Sequence, residues 1–138
     1  MKIFSFLFLL LVLPIQISAQ VTQEWVKLYN SPGNVDDRPS GVAVDAAGNT
    51  YVAGVSGTFP NGYDYTLIKY NPDGEVIWVR NYDHNNLYDD CFSMALDSEG
   101  NIYLTGESRS TDQPLDRDIA TIKYDPSGAQ LWVQRYNA

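Results

Sequence analysis

Val42-Ala43-Val44-Asp45-Ala46-Ala47-Gly48-Asn49-Thr50-Tyr51-Val52-Ala53-Gly54 is written a second time as Met94-Ala95-Leu96-Asp97-Ser98-Glu99-Gly100-Asn101-Ile102-Tyr103-Leu104-Thr105-Gly106. In each copy a short apolar run meets Asp-x-x-Gly-Asn, and a second run rich in Val, Ile, Leu and Tyr follows. Such residues suit a pleated, half-buried surface, while Gly, Asn and Asp punctuate. The Asp carboxylate can accept hydrogen bonds from its own backbone two residues on, and Gly or Asn can take the positive φ that closes a tight hairpin. The stretch therefore reads as two strands and a turn, used twice.

Outward from this hairpin the repetition continues. Ile68-Lys69-Tyr70-Asn71-Pro72-Asp73-Gly74 returns as Ile122-Lys123-Tyr124-Asp125-Pro126-Ser127-Gly128. Here proline presets the first turn residue ahead of another strand. Trp25, Trp78 and Trp132 stand 53 and 54 residues apart, opening Trp25-Val26-Lys27-Leu28-Tyr29, Trp78-Val79-Arg80-Asn81-Tyr82 and Trp132-Val133-Gln134-Arg135-Tyr136. Each period divides into four strands: 40–45, 50–56, 65–70 and 75–82, then 92–97, 102–108, 119–124 and 129–136. A period of this length built from short strands is the signature of propeller blades. The expected fold is all-β: two four-stranded antiparallel meanders, at 30–82 and 83–136, preceded by an extra outer strand at 24–29.

Val42-Ala43-Val44, Met94-Ala95-Leu96 and Val76-Ile77-Trp78-Val79 are apolar on consecutive residues. A strand with one wet face should alternate, whereas a sheet covered on both faces need not. The pattern predicts cover on both sides, which two blades cannot supply. Closed propellers use four to eight blades, so either further blades of a longer propeller or self-association of two-blade copies is expected to complete the ring. The unmatched strand at 24–29 favours the longer propeller.

The valine-rich strand leading into D-x-x-G-N-x-Y-V-x-G, then I-K-Y-N-x-x-G, then the tryptophan strand, resembles the bacterial β-propeller repeat labelled SBBP. The likeness covers nearly all of residues 24–138. It implies a secreted or cell-surface protein of a family whose members mostly lack an assigned activity, and it brings no catalytic residues with it.

Residues 1–19 have the order of a secretory signal peptide: Lys2, an apolar run from Ile3 to Pro14, and Ile17-Ser18-Ala19 ahead of Gln20. The run is too short for a spanning helix, and no second one exists, so no transmembrane segment is expected in the region 20–138. Removing Lys2 makes the mature chain one unit more negative than the formal −8 of the whole sequence. Such a surface repels nucleic acid and anionic lipid. Cys91 is the only cysteine, which excludes an internal disulfide and reads as a small packed residue.

The carboxylate pairs Asp36-Asp37 and Asp89-Asp90 recur ahead of each first strand. Sugar-cleaving enzymes place two carboxylates across a bond, but a pair that merely repeats points to loop structure. With Asp45, Asp64, Asp97 and Asp118 these residues are candidate calcium ligands, against which stands the turn-forming role of Asp. His84 is the sole histidine, and the usual His and Cys zinc sites are excluded with it. Trp25, Trp78 and Trp132 read as blade core, and Tyr63, Tyr65 and Tyr88 as a binding rim. The expected function is that of a non-enzymatic binding or scaffold module for proteins or glycans, with no cofactor beyond calcium. The alternative is a self-assembling two-blade, lectin-like carbohydrate-binding protein.

Overall fold

The computed structural model describes residues 21–137 apart from 35, 59–61 and 114. The signal peptide expected at 1–19 thus lies outside the described residues. The eight strands are β1 (Arg38–Val44), β2 (Thr50–Thr58), β3 (Gly62–Tyr70), β4 (Val76–Tyr82), β5 (Asp89–Leu96), β6 (Ile102–Ser108), β7 (Asp118–Tyr124) and β8 (Gln130–Tyr136). They form two four-stranded antiparallel sheets in sequential order, β1-β2-β3-β4 and β5-β6-β7-β8. These are the two expected blades, and among the described residues they do not close a ring. No helix among the described residues is long and apolar enough to cross a membrane.

The hairpins follow the chemistry of their turns. Asp45 Oδ1 accepts the N–H groups of Ala47 (3.0 Å) and Asn49 (2.9 Å), and its Oδ2 accepts the Asn49 side-chain amide (2.9 Å). Asp97 repeats this with Glu99 (3.0 Å) and with Asn101 through both backbone and side chain (2.8 Å each). The Tyr51 hydroxyl donates to Asp45 Oδ2 at 3.2 Å, and the Tyr103 hydroxyl donates to Asp97 Oδ2 at 3.1 Å. Gly48 and Gly100 then take φ of +82° and +81°, in the left-handed region open to glycine. Asn71 and Asp125 organise the second hairpin of each blade, accepting the N–H groups of Glu75 (2.8 Å) and Ala129 (3.0 Å).

One core lies between the blades. Tyr51, Ala53, Val55, Tyr65 and Leu67 of the first sheet meet Cys91, Ile102, Leu104, Ala120, Ile122 and Tyr124 of the second. Strand β5 lies across β1, β2 and β3. Cys91 is buried there, as its apolar strand suggested, and burial pushes its thiol pKa up. Gly106 lets the blades approach: a Cβ on it would stand 2.8 Å from the Tyr65 hydroxyl.

Burial on both faces of every strand is not found. Val42 is 68 % exposed, and Val44, Val76, Ile77 and Leu131 are also exposed, because no described element lies over them. The free face of the second blade is instead partly polar. Where the first blade turns Ala53, Val55 and Leu67 into the core, the same repeat positions of the second are Thr105, Glu107 and Thr121. Thr105 and Thr121 share a hydrogen bond of 3.2 Å, and Glu107 pairs with Arg117 at 2.7 Å.

The segment 24–29 is not a strand. A strand needs a ladder partner, and no edge among the described residues pairs with it. It nevertheless occupies the place of an outer strand. The Trp25 indole lies over Gly74, 2.6 Å from where a Cβ would be, as Trp78 lies over Gly128 at 3.0 Å. Trp25 Nε1 donates to Pro72 O (3.1 Å), and the corresponding Pro126 O accepts Lys69 Nζ of the first blade at the same distance. Trp25 therefore stands to the first blade as the fourth strand of that blade stands to the second. Trp78 is half-buried, and Trp132, over which no described blade lies, is 37 % exposed.

Leu104→Ala is expected to destabilise the protein by ~2–5 kcal/mol, the range for emptying a packed core site, and Val42→Ala by less than ~0.5 kcal/mol. Urea melts of the two variants check this. The Asp97 carboxylate is held down to about 2, first by the Asn101 side-chain amide against a little desolvation, then by the Asn101 N–H and the Tyr103 hydroxyl. A depressed folded-state value means that the turn's contribution is complete above the unfolded value of ~3.9 and fades as pH falls through about 2. Asp97→Ala is thus expected to lower Tm at neutral pH, with the gap to the parent closing in strong acid.

Candidate functional site

Both sheets begin β1, β3, β5 and β7 at one end of the stack, and at that end run the inter-blade connection 83–88 and the loop 109–117. The aspartate turns lie at the opposite end. Long connections thus gather side chains from both blades on one end face, and the chemistry of the molecule collects there.

Tyr63, near the start of β3, and Tyr88, just before β5, pack with ring centroids 5.6 Å apart and planes at 60°. The Arg38 guanidinium lies 4.7 Å from the Tyr63 ring centroid and that of Arg109 lies 4.8 Å from the Tyr88 centroid. Such contacts orient cations over aromatic faces. With Asp90, Glu107 and Arg117 these side chains line a cleft of about 210 Å³. The third expected rim residue, Tyr65, is not there. It is 0 % exposed, stacks with Tyr82 at 5.6 Å and has its hydroxyl pKa raised by burial. Alternation explains this: Tyr63 and Tyr65 share a face of β3, and only the end of that face reaches solvent.

The aspartate pairs are not equivalent as pairs. Asp37 Oδ2 accepts the Ser31 N–H at 2.9 Å, and Asp89 Oδ2 accepts the His84 N–H at 2.6 Å. Asp37 and Asp89 are therefore counterparts, each fastening the connection into its blade. Asp36 is exposed and stands 3.8 Å from Arg38, and Asp90 lines the arginine cleft. The four candidates do not converge on one calcium position. Asp45 and Asp97 are consumed by their turns.

A different set does converge. One carboxylate oxygen from each of Asp64, Asp83 and Asp89 lies within 4.8 Å of the others. Burial first, then Asp83 and Asp89, push the Asp64 pKa up to about 6. The Asp89 pKa is raised by burial and partly drawn back by the Ser108 hydroxyl and the His84 N–H. In the second blade, the counterpart of Asp64 is Asp118, which meets Arg135 at 2.8 Å. That guanidinium also donates to Ser108 O (3.1 Å), Ser110 Oγ (2.9 Å) and Tyr82 Oη (3.3 Å), with a further contact to Ser108 Oγ. It ties β6, β7 and β8 to the first blade. The Ser110 hydroxyl, then Arg135, hold the Asp118 pKa below its usual value.

The arginines of the end face carried no local signal in the sequence, because Arg38 opens β1 of the first blade while Arg109 and Arg117 stand at the two ends of the loop 109–117 of the second, and only blade packing brings them together. Asp83 was missed for the same reason, although its position after the tryptophan strand was legible.

With this geometry in view, comparison with known families finds that residues 24–60 and 84–112 match the β-propeller repeat SBBP. The chain carries that repeat in both of its blades, and the resemblance read from its phrases holds. No curated protein matches the chain significantly.

Arg135→Gln is expected to cost ~3–5 kcal/mol, the range for leaving one partner of a buried ion pair uncompensated. A chemical denaturation midpoint would show it, and a loss under ~1 kcal/mol would mean that the pair is solvated in practice.

Proposed function

We propose that this chain is an exported, non-enzymatic β-propeller module that presents the end face around Tyr63 and Tyr88 to protein or glycan ligands outside the cell. Export rests on the signal-peptide order of residues 1–19. The observation that carries the binding role is the cleft itself. Tyr63, partly buried, and Tyr88, exposed, stand with three arginines from both blades and with Asp90 and Glu107 in an aromatic, arginine-rich patch on an otherwise acidic protein, and tyrosine and arginine are the residues that anchor interfaces. Two ring faces are already taken by guanidinium groups, so flat stacking of a neutral sugar is poorly served. The patch suits a ligand that brings a carboxylate, whether an acidic glycan or a protein side chain.

Placement of Trp25 supports a larger propeller over a ring of two-blade copies. A second copy docking head to tail would set its own β8 where 24–29 already sits. A closing blade that supplies only three strands would leave that place open for it.

The test is a screen of the mature protein on a glycan array and against exported proteins, repeated with Tyr88→Ala and Arg109→Ala. Saturable binding weakened about tenfold or more by either change is expected. Binding indifferent to both changes would move the ligand site elsewhere.

A further inference from the structure

The second blade neutralises its β7 aspartate, Asp118, with Arg135. The first blade has Asn81 at the position of Arg135, and around its β3 aspartate, Asp64, two further carboxylates gather in place of the missing cation, Asp83 from the inter-blade connection and Asp89 from the start of β5. Asp89 is 0 % exposed. Its Oδ1, and that of Asp64, are buried with no hydrogen-bond partner among the described residues. No Lys or Arg ion pair with any of the three is found among the described residues; His84 and Ser108 are polar neighbours of Asp89. Three converging carboxylates, one of them fully buried with an empty acceptor, cannot be left at full charge without a large electrostatic cost.

We propose that Asp64, Asp83 and Asp89 bind one divalent cation, calcium by its chemistry, at the junction of the two blades. The donors are hard carboxylate oxygens, the set that calcium takes, with waters and backbone oxygens filling the rest of its six to eight positions. Asp64 lies on β3 of the first blade, Asp83 in the connection just after β4, and Asp89 opens the first strand of the second blade. The ion therefore cross-links the blades on the end face, a second fastening beside the apolar core. Asp37 explains why one aspartate of the repeat is not enough. It too has a buried, unpartnered Oδ1, but it belongs to no group of three converging carboxylates among the described residues.

The experiment uses the mature chain stripped with chelator and titrated with calcium, read by Tm, by equilibrium dialysis and by terbium luminescence sensitised through the nearby tyrosines. One ion per chain is expected, with a dissociation constant on the order of 10⁻⁴ to 10⁻³ M as in extracellular modules, and a rise in Tm on binding. Asp64→Asn and Asp83→Asn are expected to weaken binding about tenfold or more. Asp64→Asn should at the same time raise Tm in chelator, because it removes like-charge repulsion. Asp89→Asn is avoided as the sole variant, since Asp89 also holds the His84 N–H. No uptake at about 1 mM calcium, or uptake unchanged in both variants, overturns the proposal. An unfolding midpoint of Asp64→Asn equal to the parent's in chelator shows that water satisfies the carboxylates and also counts against it. Each outcome is independent of whether the tyrosine–arginine cleft binds a ligand.

Discussion

Each blade of this protein exists because another surface covers it. A four-stranded meander has two faces and no interior of its own, so its apolar side chains gain nothing until a neighbour excludes water from them. Tyr51, Tyr65 and Leu67 are that neighbour for Ile102, Leu104, Ile122 and Tyr124. The hairpin turns, the glycine at 106 and the position of β5 across the first sheet all serve this single contact. Its geometry also explains the repeat period, since every strand must return to the same depth in the stack for the next blade to fit.

The two unmatched faces answer the same requirement differently. On the first blade, Trp25 covers the turn at Gly74 and leaves a cavity of about 320 Å³, lined by Trp25, Leu28, Tyr29, Val52, Ile68 and Tyr70 among others. On the second, the repeat itself changes, with Thr105, Glu107 and Thr121 where the first blade is apolar.

Electrostatics varies between the blades more than packing does. The backbone of the end face repeats faithfully, with Asp37 and Asp89 each catching one N–H of the incoming connection. The charge around it does not repeat. Arg135 closes a buried pair in the second blade, whereas Asn81 leaves Asp64 with carboxylate neighbours in the first. Divergence of this kind, on a backbone that keeps its shape, is where a repeat protein acquires individual chemistry.

Two Asp-x-x-Gly-Asn hairpins, two proline turns and three tryptophans at a fixed spacing determined the strand number, their order and the blade pairing, because local turn chemistry and side-chain alternation are written within a few residues. Even so, consecutive apolar residues did not mean cover on both sides. Val42 and Val44 repeat the pattern of buried strands while facing solvent, since the pattern records what the repeat can bury and not what is present to bury it. Only the tertiary structure decided that Tyr65 is core while Tyr63 is rim, that 24–29 packs without pairing, and that Asp64, Asp83 and Asp89 meet. Those outcomes depend on how one sheet is laid across another, and the distance between side chains on different blades is set by that docking and by nothing local in the chain.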